Sequence, residues 1–379
     1  MIQQNRLVEQ FLQLVQIDSE TKHEQQIAQA LKTLFEQLGF RVQEDDTAAE
    51  TGHGAGNLIC TLDATSDRVD APAVLFTCHM DTVTPGNGIK PRVDDDGYIR
   101  SDGTTILGSD DKAGIAAMVE AIRVLKENNI SHGKLLFVIT VGEESGLLGS
   151  RAMAKNPPAD LQAKYGYALD SNGKVGDIAV AAPTQARVQI AFIGRSAHAG
   201  VNPEDGVSAI QVASKAISRM SLGRIDFETT ANIGSFAGGG ATNIVCERVD
   251  IAAEARSREQ SKLDRQLEAM KAACASAAEE MGAQFEFSSD IIYPAYKYDE
   301  SAPVVQLAMS ALETIGRKPS TFHTGGGSDA NMFNGMGIPT VNLAVGYEHI
   351  HTTKEQIPVI ELVKVAELVV AIVQKAAAE

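Results

Sequence analysis

Imidazoles and carboxylates recur in this sequence at the ends of short apolar runs, a combination suited to binding divalent metal ions that leave a position open for a substrate. Residues 74–78 read as a buried strand that ends in His79-Met80-Asp81, and residues 135–141 as another that ends in Gly142-Glu143-Glu144. A third, through Tyr167, runs into Asp170, and a fourth, 340–345, leads to Glu348-His349-Ile350-His351. Between the first two, Gly108-Ser109-Asp110-Asp111 precedes an apolar repeat at Ile115, Met118, Val119, Ile122 and Leu125, the spacing of one buried helical face. An acidic residue ahead of a helix ordinarily accepts backbone N–H bonds as a cap. What sets Asp110 apart is its company. In open α/β sheets, ligands bind beyond the carboxyl ends of strands, where these polar groups fall.

His79, Asp110, Glu144, Asp170 and His351 are the candidate ligands, of a type that suits Zn2+, with Co2+ or Mn2+ as alternatives. His349 competes with His351 on residue type alone. Three carboxylates buried together repel one another unless cations compensate them. Two divalent ions balance three carboxylates and one hydroxide, and a shared carboxylate holds such ions ~3.5–4 Å apart.

The elements that carry these groups predict an α/β fold. Strands alternate with helices through the first half, so a mostly parallel sheet with helices on both faces is expected. Residues 1–40 carry two amphipathic helices, the segment 45–56 reads as a loose polar loop, and Asp94-Asp95-Asp96-Gly97 reads as a hairpin turn rather than a calcium loop. From residue 183 the texture changes to strand, helix, two strands, helix, strand, a compact α+β (ferredoxin-like) unit. The expected organisation is therefore a discontinuous catalytic domain, 1–182 and 294–379, with an inserted domain at 183–293. A chain of 379 residues has room for both.

The net charge of −16 argues against nucleic acid or an anionic membrane as partner. No apolar run approaches the ~20 residues that span a bilayer. The N-terminus lacks a signal-like apolar core, and the four cysteines are scattered without metal-type spacing, so a cytoplasmic location is expected.

In order, His79-Met80-Asp81, Asp110-Asp111, Glu143-Glu144, Asp170 and His351 match the pattern of a known family. The chain resembles the dizinc exopeptidases, which include peptidase T, carboxypeptidase G and the aminoacylases, over nearly its whole length. The resemblance implies that Asp110 bridges two metals, with His79 and Asp170 on one and Glu144 and His351 on the other. It prefers His351 to His349 because His351-Thr352-Thr353-Lys354-Glu355 has the family's spacing. It also implies that Asp81 orients the His79 imidazole, that Glu143 is the general base, and that a non-proline cis peptide follows Asp110. The inserted unit resembles the family's lid domain, which implies an oxyanion role for His198 and substrate carboxylate binding by Asn243 and Arg256. Gly326, Gly327 and Asp329 resemble a substrate-contacting loop. Within the family the chain looks most like peptidase T, so the expected activity is that of a tripeptide aminopeptidase acting on short peptides, with a homodimer formed through the lid. A carboxypeptidase or N-acyl-amino-acid deacylase of the same family, and a non-catalytic metal-binding relative, stand as alternatives.

Overall fold

Two runs in which every residue is buried, Val74–His79 and Leu135–Thr140, lie side by side and parallel. A strand with both faces covered has no need of polar alternation, so these read as near-continuous apolar sequence. The computed structural model describes all 379 residues. They divide into two units: Met1–Ala181, Tyr298–Thr324 and Ser328–Glu379 form the first, and Ala182–Lys297 with Gly325–Gly327 the second.

In the first unit the sheet runs Arg41–Glu44, Leu58–Leu62, Leu135–Thr140, Val74–His79, Tyr165–Ser171, Thr340–Ala344, Asp177–Ala182, with Ser320–His323 parallel to the last. The central neighbours are parallel, whereas Leu58–Leu62 pairs antiparallel with Leu135–Thr140. Alternate side chains of the same strands enter different cores. Leu75, Leu136 and Val138 pack with Met153 and Phe333 on one face. Phe76, Phe137 and Ile139 pack with Phe11, Ile122 and Leu362 on the other. Helices therefore cover both faces, and the parallel strands all deliver their carboxyl ends to one edge.

Phe137 is fully buried, with ring centroids 5.9 Å from Phe35, 5.0 Å from Phe40 and 5.7 Å from Phe76. Phe137→Ala leaves a cavity among three rings that cannot all close over it. A loss of ~3–5 kcal/mol is expected, read as a lower urea midpoint with an unchanged slope.

The helix Ser109–Glu127 is buried on nearly every side. Besides Asp110 and Asp111 at its start, it buries two charges, both partnered: Lys112 Nζ donates to the Ile17 carbonyl at 2.8 Å, and Glu120 pairs with Arg6 at 2.7 Å. Close approach to the sheet requires Gly114, since a Cβ there would stand 2.6 Å from Cys78 Sγ and 3.0 Å from the Leu169 carbonyl.

Some local expectations change. The segment 45–56 holds a short helix, Thr47–Thr51, and is tied down where Asp45 Oδ1 accepts from the amides of Thr47 and Asn57. Asp177–Ala182 is a strand, and Leu148–Lys155 and Asp329–Gly335 are helices that the sequence pattern does not announce. Residues 94–97 form the expected turn between Arg92–Val93 and Tyr98–Arg100, closed by the Gly97 amide on the Asp94 carbonyl at 3.0 Å.

In the second unit an antiparallel sheet has the order Gly223–Arg224, Thr229–Gly238, Arg248–Ser257, Thr184–Ile193, Gln284–Tyr293. Its inner residues, among them Ala186, Val188, Phe192, Val249 and Ile251, share one core with Val212 and Ala216 of the helix Ala209–Ser218 and Leu263, Met270 and Cys274 of Gln260–Met281. That connectivity is the ferredoxin-like one.

Candidate active site

At the carboxyl edge of the first unit's sheet, strand ends, the start of the helix Ser109–Glu127 and the loop after Thr340–Ala344 bring His79, Asp110, Glu144, Asp170 and His351 together. His79 Nε2 lies 3.0 Å from Asp110 Oδ1 and 3.8 Å from Asp170 Oδ1. His351 Nε2 lies 3.3 Å from Asp110 Oδ2 and 2.9 Å from Glu144 Oε1. The two oxygens of Asp110 thus face different imidazoles, each with a further carboxylate beside it. The backbone supports this pose: Asp110 leaves helical geometry, and the Asp110–Asp111 peptide is cis. His349 is exposed and makes no ion pair with these acids.

The other His79 nitrogen, Nδ1, lies 2.9 Å from the Asp81 carbonyl and 3.5 Å from its Oδ1. The fully buried Asp81 carboxylate also accepts from the amides of Glu143 at 3.0 Å and Glu144 at 3.3 Å. One side chain thus contacts an imidazole and the loop carrying two acids. Asp170 is held by its neighbour Asn342, which accepts from its amide at 3.0 Å and donates to its carbonyl at 2.8 Å. The Tyr347 hydroxyl donates to Asp170 Oδ1 at 3.1 Å.

Electrostatics mark the cluster as short of positive charge. Burial and the charge of Asp170 push the half-buried Glu143 carboxyl well above its usual range. Burial and the charge of Asp110 do the same to Asp170. Burial alone would raise Asp110, yet hydrogen bonds from His351 and His79 hold it below the ordinary carboxylate range. Hydrogen bonds to Asp110 and then Glu144 push His351 up to about 10. Burial opposes protonation of His79, but Asp110 and Asp81 outweigh it and the imidazole is raised. Both imidazoles retain protons tightly, which is what acids without a compensating cation impose.

The donor set fits divalent metals. Ligand atoms ~2.0–2.2 Å from a tetrahedral zinc stand about 3.4 Å apart, and the separations here, 2.9 to 3.8 Å, bracket that value. Asp110 has the two imidazoles and no Lys or Arg as ion-pair partners. His79, Asp111 and Asp170 form a further close set, in which the buried Asp111 Oδ1 has no hydrogen-bond partner.

The remaining expected residues are distributed differently. Asp329 is buried in the first unit, where its carboxylate accepts from the hydroxyls of Thr140 and Ser150. His198, Asn243, Arg256, Gly326 and Gly327 belong to the second unit. There His198 and Asn243 are exposed on adjoining loops, joined by the Ala199 amide on the Asn243 carbonyl at 2.9 Å. Arg256 pairs with Glu254 at 2.9 Å and donates to the Tyr293 hydroxyl at 3.2 Å, so its guanidinium is oriented from two sides. A Cβ at Gly327 would stand 2.2 Å from the Tyr293 ring.

Three groups in the first unit escape a reading of the sequence. Tyr347 and Asn342 sit within apolar runs and look like core. Glu355 is almost fully buried and accepts from the turn that precedes Asp110. Its only signal in the sequence is its place four residues beyond His351.

The chain is similar to known proteins over nearly its whole length. Residues 75–375 match peptidase family M20/M25/M40. A protein named YqjE from Bacillus subtilis (strain 168) is 59% identical over 377 residues, covering 100% of each chain. The crystal structure of aminopeptidase PepT from Bacillus cereus ATCC 10987 is 60% identical, with a TM-score of 0.92 over 99% of each chain. That of a tripeptidase from Staphylococcus aureus subsp. aureus mu50 is 47% identical, with a TM-score of 0.94 over 100% of each chain.

Proposed function

Since the chain belongs to peptidase family M20/M25/M40 and is a metallopeptidase, we propose that it is a tripeptide aminopeptidase that uses two divalent ions, with zinc as the native metal. The observation that carries this reading is Asp110, whose two oxygens face His79 and His351 separately. The aminopeptidase and tripeptidase names of its Bacillus cereus and Staphylococcus aureus relatives support the substrate class. His79, Asp110 and Asp170 would hold one ion, and Asp110, Glu144 and His351 the other. Bound there, the ions supply Lewis acidity and lower the pKa of water, which no side chain here can do alone.

The chain's own groups do the rest. Asp81 keeps the Nδ1 side of His79 engaged, so that Nε2 faces the acids. By accepting from the amides of Glu143 and Glu144, it also fixes the loop on which both sit. Glu143 takes a proton from the attacking water on a carboxylate oxygen and returns it to the leaving amine nitrogen. Asp329, its carboxylate engaged by Thr140 and Ser150, anchors the loop after Gly327 rather than leaving a free acid for substrate. In the second unit His198 is assigned to the oxyanion, and Asn243, Arg256 and the glycines Gly326 and Gly327 to the substrate. We also propose that this unit mediates a homodimer and that the enzyme works in the cytoplasm. No helix is long and apolar enough to cross a membrane.

A matched substrate set tests the reading. With zinc- or cobalt-loaded protein, a free tripeptide should be cleaved at least tenfold faster than the corresponding dipeptide, and blocking its amino group should abolish cleavage. Faster turnover of N-acylated substrates would overturn the aminopeptidase assignment in favour of a deacylase or carboxypeptidase.

A further inference from the structure

Five donors converge on one buried carboxylate to which the peptidase chemistry assigns no task. Glu355 is 2% exposed. Its Oε2 accepts from the amides of Leu107 at 2.8 Å and Gly108 at 3.0 Å. Its Oε1 accepts from the Ser109 amide at 2.7 Å, the Ser109 hydroxyl at 2.6 Å and the Asp110 amide at 3.2 Å. Consecutive amides pointing inward at the start of a helix make an anion site. Here the anion comes from some 245 residues away in sequence.

The other end of the contact matters equally. Glu355 lies four residues after His351, in a loop closed by mutual backbone hydrogen bonds between Glu348 and Gln356 at 2.8 and 3.0 Å. Next to it, Gln356–Pro358 pairs with Tyr98–Arg100. Within the loop, His349 and His351 both take positive φ, 57° and 61°. The His351 ring, half exposed, reaches Asp110 and Glu144 from outside. The clamp therefore joins the turn that presents Asp110 to the loop that presents His351. A simple helix cap would serve with one or two hydrogen bonds, and would have no reason to come from the loop that carries a candidate ligand.

We propose that Glu355 is a positioning residue that sets the placement of Asp110 relative to His351, and thereby the affinity for the ion held by Asp110, Glu144 and His351. This rests on the two-metal reading of the site. The ion held by His79, Asp110 and Asp170 keeps its other two ligands on strands Val74–His79 and Tyr165–Ser171, outside the clamped loop. Loss of the clamp is therefore felt unequally by the two ions.

The test is a Zn2+ titration of the metal-free full-length protein, wild type against Glu355→Gln, by calorimetry and by competition with a chromophoric chelator. Wild type should take up two ions. In E355Q one ion should bind 10–100-fold more weakly, the usual cost of removing a group that orients a ligand, and the other, which shares Asp110 but keeps two ligands outside the clamp, should lose distinctly less. At limiting zinc kcat should fall with KM little changed, and Glu355→Asp should recover part of the lost affinity. Equal weakening of both ions would mean a general structural role, and two ions at wild-type affinity would mean no role. Either result overturns the proposal. If E355Q does not fold, Ser109→Ala removes one donor from the same carboxylate. It should weaken the same ion severalfold, and unchanged affinity for both would again overturn the proposal. A wild-type protein that binds fewer than two ions would refute the two-metal reading itself, a result separate from any of these.

Discussion

Glu143→Ala is expected to lower kcat on a tripeptide by ~10²–10⁴-fold, the usual contribution of a positioned general base, while the protein still binds two metal ions and KM changes little. The reason lies in how Glu143 is held. Its amide is fixed by Asp81, but none of its carboxylate oxygens is engaged by a hydroxyl or amide of the protein, in contrast with Asp81, Asp329 and Glu355. The chain thus keeps this carboxylate for something outside itself. Glu143→Gln keeps the shape and removes the basicity, so it should be nearly as inactive as the alanine variant. Paired measurements of turnover and metal content check this. Loss of an ion along with activity would make Glu143 a ligand, and turnover within threefold of wild type would remove it from the mechanism.

Asp110→Asn should act on metal content first. The substitution preserves volume but replaces an anion that faces both imidazoles with a neutral amide, one end of which donates. Because the same carboxylate is proposed for both ions, both should weaken together. Removing an orienting partner alone costs ~10–100-fold in affinity, and removal of a shared ligand should exceed that. Metal analysis after dialysis should find the protein close to empty, and hydrolysis at background. Retention of two ions would refute the bridging assignment. The pair of variants also separates two roles: Glu143→Ala is full and inactive, Asp110→Asn empty and inactive.

Much of the fold and of the candidate site is legible because this architecture writes them in different alphabets. Fully covered strands require unbroken apolar runs, so Val74–His79 and Leu135–Thr140 announce themselves, and any polar group just past their ends stands out. That is how His79, Asp110, Glu144, Asp170 and His351, spread over the chain, can be read as one constellation. Asp177–Ala182 is hard to see because small side chains, Ala-Val-Ala-Ala, carry little periodic signal. The helices Leu148–Lys155 and Asp329–Gly335 are too short for a helical period to show, although Ser328 and Asn331 form a capping box. Asp329 reads as part of a glycine loop, yet its carboxylate is buried against Thr140 and Ser150, contacts that exist only once distant segments pack. Glu355 is opaque for the same reason. A glutamate in a polar loop looks solvated, and its burial follows from the turn it meets rather than from any neighbour in sequence.

The interrupted first unit has a consequence for how the protein is made. Tyr165–Ser171 pairs with Thr340–Ala344, so that edge of the sheet stays open while the whole of residues 182–297 emerges from the ribosome. At ~5–20 residues per second the wait is on the order of ten to thirty seconds. The second unit, contiguous apart from three glycines, can collapse on its own within that interval. The nascent first half meanwhile exposes an unpaired apolar strand, the kind of edge that recruits other chains. Synthesis rather than the finished enzyme is thus the stage at which this chain most needs a chaperone's cover.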